Sequence, residues 1–262
     1  MLMDAARAAL LPALALLVLA GPAAPDAGGA ASAANPAVFQ IATRSTADGD
    51  LLYWGTAFFT GPNGTALTNS HLVYFASTDP AHYQLIALYQ REFFSATVVC
   101  ASPLPEPPSP SGTISRFGRD VAEIKLEPSK LPGRNVIQFR GGPEFTAHLT
   151  RLPVFPALQL GEDPRPGMPV RVTGYGLIQE RLTLTPWEQW TTAGTITALA
   201  KADDGTPLLR ITSADAPREG NSGSPVLDEK ERVVGMIAWA SRADFSFSAG
   251  IAGSALRTPC GR

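Results

Sequence analysis

Short segments of β-forming residues, separated by turn-forming residues, follow one another from about residue 34 and leave almost no stretch with helical periodicity. Residues 51–60 form one such segment, and Asn63-Gly64, a typical hairpin turn, comes directly after it. Residues 122–126 alternate apolar and charged side chains, as expected of a half-buried strand, and Asp120 stands at the start of that segment. The proline-rich residues 103–110 cannot enter a sheet interior, so we expect a surface loop there.

Two sets of about six such segments predict an all-β fold of two packed β-barrels. The chain has 262 residues, of which 45% are apolar, so it can bury a core of that size. Proline and glycine are frequent over residues 127–165, where the segments are weakest. We therefore expect an N-terminal barrel over residues 34–150 and a C-terminal barrel over residues 151–262.

The first 33 residues are typical of a cleaved signal peptide. An apolar run over residues 10–20 is short for a membrane span and ends at Gly21-Pro22. Small residues follow as far as Ala31-Ser32-Ala33, an Ala-x-Ala-type cleavage site, with an alternative cut near Ala24. A signal-anchor helix is the alternative. Cleavage predicts a secreted or periplasmic protein without stable membrane association.

Charge and composition argue against several functional classes. The net charge is −2 and no Lys/Arg cluster is present, which argues against nucleic acid or an anionic membrane as partner. The three histidines and two cysteines lack metal-ligand spacing, so we expect no metal site and no cofactor. In an oxidising compartment Cys100 and Cys260 either form a disulfide or remain as two thiols.

Residues 220–225, Gly-Asn-Ser-Gly-Ser-Pro, lie between two apolar runs. Glycines on both sides of Ser222 permit positive φ angles and a close approach to the main chain. A nucleophilic serine requires an exposed Oγ with backbone N–H groups directed at the same point. The alternative interpretation is an ordinary turn between two strands.

Two further residues supply the groups that a nucleophilic serine needs. A serine hydroxyl is a weak nucleophile near neutral pH, and a histidine such as His71 is a suitable base. Asp120, at the start of the alternating strand, would hold the imidazole in the correct tautomer. The backbone N–H groups of Gly220 and Ser222 would bind the oxyanion, each donor contributing on the order of 10²–10³ in rate.

Three motifs in this order resemble those of the chymotrypsin/trypsin-like serine proteases. Residues 68–73, Thr-Asn-Ser-His-Leu-Val, resemble the Thr-Asn-x-His-Val motif of bacterial members. Residues 120–126 resemble the aspartate strand of the family. Residues 220–226 are similar to the nucleophile motif of the glutamyl endopeptidases and the HtrA proteases. The resemblance covers about residues 36–256.

This resemblance implies two six-stranded antiparallel barrels with the active site in the cleft between them. It also implies a catalytic triad of His71, Asp120 and Ser222 in an exported serine endopeptidase. The expected reaction is hydrolysis of protein or peptide substrates through an acyl-enzyme, and we expect a monomer. A non-catalytic protease-fold binding protein with a blocked or misformed site is the main alternative. A secreted β-rich interaction module with accidental motifs is the other.

The sequence departs from the animal digestive members of the family at two places. Asn221 replaces the aspartate that pairs with their new N-terminal ammonium group, so we expect activity without that ion pair. The resemblance places Ala216 at the floor of the substrate pocket, which predicts a preference for uncharged, small-to-medium apolar residues. A shift of one residue would place Asp215 there instead. The expected walls are Ala238, Trp239, Ala240 and Gly250.

Overall fold

The structure is a computed structural model. It describes residues 34–104, 107–108, 118–131, 133, 135–138, 142–176, 188–213, 220–240 and 248–259. The predicted signal peptide over residues 1–33, the predicted pocket floor Ala216 and the second cysteine, Cys260, lie outside the described residues.

The first barrel consists of six antiparallel strands. They are β1 (Val38–Ser45), β2 (Leu51–Phe59), β3 (Thr65–Thr68), β4 (Tyr83–Tyr89), β5 (Glu92–Ala101) and β6 (Ala122–Glu127). They pair in the order β4-β1-β2-β3-β6-β5, and β5 pairs with β4 to close the barrel. Two short strands, β7 (Val136–Gln138) and β8 (Glu144–Ala147), extend the sheet beyond β5. Aromatic rings fill the interior, where Phe59 stacks on both Phe39 and Phe155.

The second barrel also consists of six antiparallel strands. They are β9 (Pro169–Gly174), β10 (Trp190–Lys201), β11 (Pro207–Ser213), β12 (Pro225–Leu227), β13 (Val233–Ala240) and β14 (Ser248–Ala252). They close in the order β10-β11-β14-β13-β12-β9 around a buried aliphatic core. The predicted all-β fold of two six-stranded antiparallel barrels is therefore confirmed. The predicted boundary at residue 150 falls between β8 and β9 and stays a prediction.

A separate apolar cluster joins the two barrels. Val38, Phe58, Leu67 and Val121 of the first barrel pack in this cluster with residues of the second barrel, including Leu227 and Met236. Burial of apolar surface stabilises such a contact by about 25 cal/mol per Å². Through Val121, the cluster therefore holds the segment that contains Asp120 next to β11 and β12, the strands on either side of residues 220–224.

A helix replaces the end of one predicted strand. After the Asn63-Gly64 turn, the sequence predicts a return strand from Ala66 to Ser70 that ends at His71. The strand stops at Thr68 instead, and α1 (Ser70–Thr78) follows, with His71 in its first turn. The run Val-Tyr-Phe over residues 73–75 favours a strand locally. Packing of Leu72 and Val73 on the first barrel outweighs that preference. Neither α1 nor the short helix α2 (Gly253–Leu256), the helices of the described residues, could cross a membrane.

The chain after α2 returns to the first barrel. Ser102 Oγ, just beyond β5, donates a hydrogen bond to the carbonyl oxygen of Pro259 at 3.2 Å. Cys100 in β5 takes part in a disulfide bond, and the described residues contain no free cysteine. Cys260 follows Pro259 directly in the sequence, so the hydrogen bond agrees with the disulfide, one of the two alternatives that the sequence leaves open.

Candidate active site

His71 and Asp120 form a buried pair. The Nδ1 atom of His71 lies 2.6 Å from Oδ2 of Asp120, and the two side chains are only 5% and 1% exposed. The backbone N–H of His71 also donates to Oδ1 of Asp120 at 2.9 Å. A carboxylate at Nδ1 keeps the proton on that nitrogen, so Nε2 is left to accept a proton. One aspartate thereby fixes the position and the tautomer of the imidazole.

The two residues before His71 attach α1 to the aspartate segment. The amide of Asn69 donates from Nδ2 to the carbonyl oxygen of Asp120 at 2.8 Å. Ser70 Oγ donates to the carbonyl oxygen of Val121, also at 2.8 Å. Both side chains are buried, so these hydrogen bonds are shielded from competing water. The sequence feature that could have indicated these contacts is the polar pair Asn69-Ser70 directly before His71.

The loop over residues 220–224, the nucleophile loop, depends on its two glycines. Gly220 and Gly223 have φ angles of +85° and +87°, a region that other residues rarely adopt. A Cβ on Gly223 would lie 1.9 Å from the carbonyl oxygen of Thr56, so no side chain fits there. The N–H of Gly223 donates to the carbonyl of Ile237 at 2.9 Å. The glycine pattern in the sequence predicts this conformation.

The nucleophile loop and α1 meet at the same point of β2. The Thr56 N–H donates to the carbonyl oxygen of Ser222 at 2.8 Å. A Cβ on the preceding residue, Gly55, would lie 2.4 Å from the side chain of Leu72 and 2.9 Å from that same carbonyl oxygen. Ser222 and Leu72, the residue after His71, therefore contact adjacent residues of β2, Thr56 and Gly55. Ser222 is partly exposed, whereas His71 and Asp120 are buried.

The family model of the trypsin-like peptidase domain matches residues 55–236, which is more than half of the chain. The chain belongs to the trypsin-like peptidase family. No curated protein sequence matches this peptidase significantly. The resemblance on which the expected fold rests is thus confirmed.

Solved structures of proteases share the fold of this peptidase. The active form of the Rv3671c protease from M. tuberculosis has a TM-score of 0.55 at 18% identity, over 86% of this chain and 80% of that chain. An inactive serine-to-alanine mutant of Rv3671c from M. tuberculosis H37Rv has a TM-score of 0.54 at 19% identity, over 86% and 85% of the two chains. Deg5 has a TM-score of 0.53 at 17% identity, over 85% and 86%. Likeness at such identities indicates a shared fold.

The predicted pocket walls of the peptidase lie on β13 and β14. Ala238 is buried in the cluster between the barrels, and Trp239 packs against the same cluster. Gly250 is opposite Ile237 in the strand pairing, while Ser248 occupies the position opposite Ala240. The Oγ atom of Ser248 is buried without a hydrogen-bond partner in the described structure. The pocket assignment stays a prediction, and Ser248 is a polar residue that the sequence interpretation did not include.

The other histidines of the peptidase make local contacts. His82 is exposed and lies 2.9 Å from Asp79, three residues earlier. His148 stacks on the ring of Phe94 and contacts Glu92 at 3.1 Å. Over the described ranges, no group of three His, Cys, Asp or Glu side chains could hold a metal ion.

Proposed function

We propose that this peptidase is an exported serine endopeptidase, with Ser222 as nucleophile, His71 as base and Asp120 as the residue that orients the base. The observation that supports this most strongly is the buried His71–Asp120 pair at the start of α1, next to the point of β2 that the nucleophile loop contacts. An ion pair without a catalytic role does not need to be buried. A catalytic base does benefit from burial beside a carboxylate, because the carboxylate then holds the imidazole in one tautomer.

In the proposed reaction, Ser222 Oγ attacks the carbonyl carbon of the scissile bond while its proton passes to Nε2 of His71. The negative oxygen that forms is bound by the N–H groups of Gly220 and Ser222. The C–N bond then breaks as Nε2 gives the proton to the leaving amine. Water attacks the acyl-enzyme, Nε2 takes its proton, and the carboxylic acid is released as Ser222 regains a hydrogen. Asp120 remains ionised and stabilises the imidazolium in both steps.

Peptide hydrolysis by purified protein tests the chemistry. Cleavage of a quenched peptide library near neutral pH should be lost in Ser222→Ala and in His71→Ala, by a factor on the order of 10⁶. Ser224→Ala is the matched control, because that buried hydroxyl belongs to the same loop and has no hydrogen-bond partner in the described part of the chain. Ser224→Ala should retain activity. A folded wild type that cleaves nothing in the library would support the binding-protein alternative.

The mass of the exported protein tests the proposed route. Cleavage after residue 33, or near residue 24, leaves a soluble chain whose N-terminal peptide mass spectrometry can identify. A full-length chain retained in the membrane fraction would instead support a signal anchor. This result is independent of whether Ser222 reacts.

A further inference from the structure

Thr56 in β2 uses all of its polar atoms on other segments. Its N–H donates to the carbonyl oxygen of Ser222 at 2.8 Å, and its own carbonyl oxygen accepts from Thr68 Oγ1 at 2.7 Å. Its hydroxyl oxygen accepts from the N–H of Tyr175 at 2.9 Å. The same oxygen lies 3.4 Å from the carbonyl oxygens of Tyr175 and Gly220, so its proton is shared between them. Thr56 is completely buried.

These contacts determine where two carbonyl groups of the nucleophile loop are directed. The carbonyl oxygens of Gly220 and Ser222 both face Thr56, on the buried side of the loop. An oxyanion site requires N–H groups and not carbonyl oxygens toward the substrate. By engaging both carbonyls, Thr56 keeps them away from the accessible side, where Ser222 is partly exposed.

Close packing makes this arrangement stiff. A Cβ on Gly174 would lie 3.0 Å from the hydroxyl oxygen of Thr56, and one on Gly223 would lie 1.9 Å from its carbonyl oxygen. The main chains on both sides of Thr56 therefore touch it directly. Because no free space surrounds the hydroxyl of Thr56, a change at this group shifts the nucleophile loop.

We propose that Thr56 is a positioning residue, through which the first barrel sets the geometry of the oxyanion-binding loop of the second. This inference rests on the proposed function, because it assigns the loop that catalytic task. Thr56 contacts no substrate, since it is buried, and acts through Gly220 and Ser222. No local sequence pattern indicates the role, because Tyr175 and Gly220 are 119 and 164 residues away.

Thr56→Val is the informative substitution, because valine has nearly the same shape and lacks the hydroxyl. The Tyr175 N–H loses its acceptor and the Gly220 carbonyl loses a contact, while the main-chain bond to Ser222 remains. Loss of a complete oxyanion donor costs on the order of 10²–10³ in kcat, so misplacement of one should lower kcat by about 10- to 100-fold. KM should stay within about threefold, because ground-state binding does not use the oxyanion. Thr56→Ser restores the hydroxyl and should recover most of kcat.

Thr173→Val is the matched control. That threonine is also buried, and it lies in β9 next to Gly174, but its hydroxyl bonds to Thr191 at 3.0 Å and not to the nucleophile loop. Its kcat should remain within about threefold of wild type. A general packing defect would lower activity in both valine variants, and Thr56→Ser would then give no selective recovery. Either that pattern or a wild-type kcat in a folded Thr56→Val protein would overturn the proposal.

Hydrogen–deuterium exchange separates this inference from the proposed function. In Thr56→Val, amide exchange should accelerate by about tenfold or more in peptides that cover Tyr175 and Ser222, and Thr173→Val should leave those peptides unchanged. Unchanged exchange in Thr56→Val would refute the positioning role even in an active enzyme. Faster exchange in a protein that never hydrolyses peptides would refute the proposed function and retain the structural role of Thr56.

Discussion

Replacing Asp120 with asparagine tests how the pair with His71 works. The carboxylate accepts two hydrogen bonds from His71, from Nδ1 at 2.6 Å and from the backbone N–H at 2.9 Å. A carboxamide has only one oxygen. If that oxygen faces Nδ1–H, the amide NH₂ faces the backbone N–H, and two buried donors are left unpaired. If the NH₂ faces Nδ1, it donates to Nδ1 and the amide oxygen accepts from the backbone N–H, but the imidazole proton moves to Nε2.

The second arrangement is therefore favoured, and Nε2 can then no longer accept the proton of Ser222. We expect Asp120→Asn to lower kcat by about 10⁴-fold, equivalent to about 5 kcal/mol in the activation barrier. Stability should change little, because the hydrogen bonds are retained in the wrong tautomer. The assay is steady-state hydrolysis of a peptide substrate, together with urea unfolding.

Asp228→Asn is the matched control. Asp228 follows β12 in the second barrel, is also buried, and accepts backbone N–H bonds from Lys230 at 2.9 Å and Arg232 at 2.8 Å. Burial alone would raise the pKa of Asp228, but the hydrogen bonds and charge of Arg232, with the Lys230 N–H, outweigh it and lower the pKa. The ionised group thus contributes stability above about pH 4 that is lost as the pH falls through its lowered pKa. Asp228→Asn should cost about 1–3 kcal/mol at neutral pH, less at acid pH, with little effect on kcat. An Asp120→Asn kcat within tenfold of wild type, or an equal loss in both variants, would show that the Asp120 carboxylate does not act by fixing the tautomer of His71.

Three further predictions concern parts of the chain outside the His71–Asp120 pair. Cys100→Ser should lower the free energy of unfolding by about 2–4 kcal/mol in the absence of reductant, and reduction of the wild type should have a similar effect in urea titrations. Because Asn221 is a neutral amide, acetylation or extension of the mature N-terminus should leave kcat/KM unchanged; an inactive blocked protein would contradict this. Peptide-library profiling should show uncharged residues before the scissile bond, and a profile dominated by Arg, Lys or Glu would exclude the pocket with Ala216 at its floor.

Patterns within a few residues predicted much of the fold. Alternation over residues 122–126 agrees with β6, because a strand with one buried face has a period of two. The sequence does not predict the helix α1, because residues 73–75 favour a strand locally. The helix forms because Leu72 and Val73 pack on the first barrel. Asn69 and Ser70 also donate hydrogen bonds to the carbonyl oxygens of Asp120 and Val121. Tertiary contacts decide that element, and no local pattern contains them.

The candidate site shows the same division. His71, Asp120 and Ser222 could be named as candidates from the sequence, because each lies in a motif whose neighbours have a recognisable pattern. Thr56 and Ser248 could not, since their significance comes from strand pairing and from contacts with distant residues. The pairing of β4 with β5, which closes the first barrel, is easier to predict from the sequence, because these two strands follow one another along the chain.

Labelling of the folded protein by a fluorophosphonate, with the modified residue identified by mass spectrometry, tests directly whether Ser222 is an activated nucleophile. A serine activated by a histidine base attacks phosphorus and forms a stable adduct, which ordinary serines do not. We expect a single adduct on Ser222, which is abolished in Ser222→Ala and formed much more slowly in Asp120→Asn. No adduct on a correctly folded protein, or an adduct on a different residue, would contradict it.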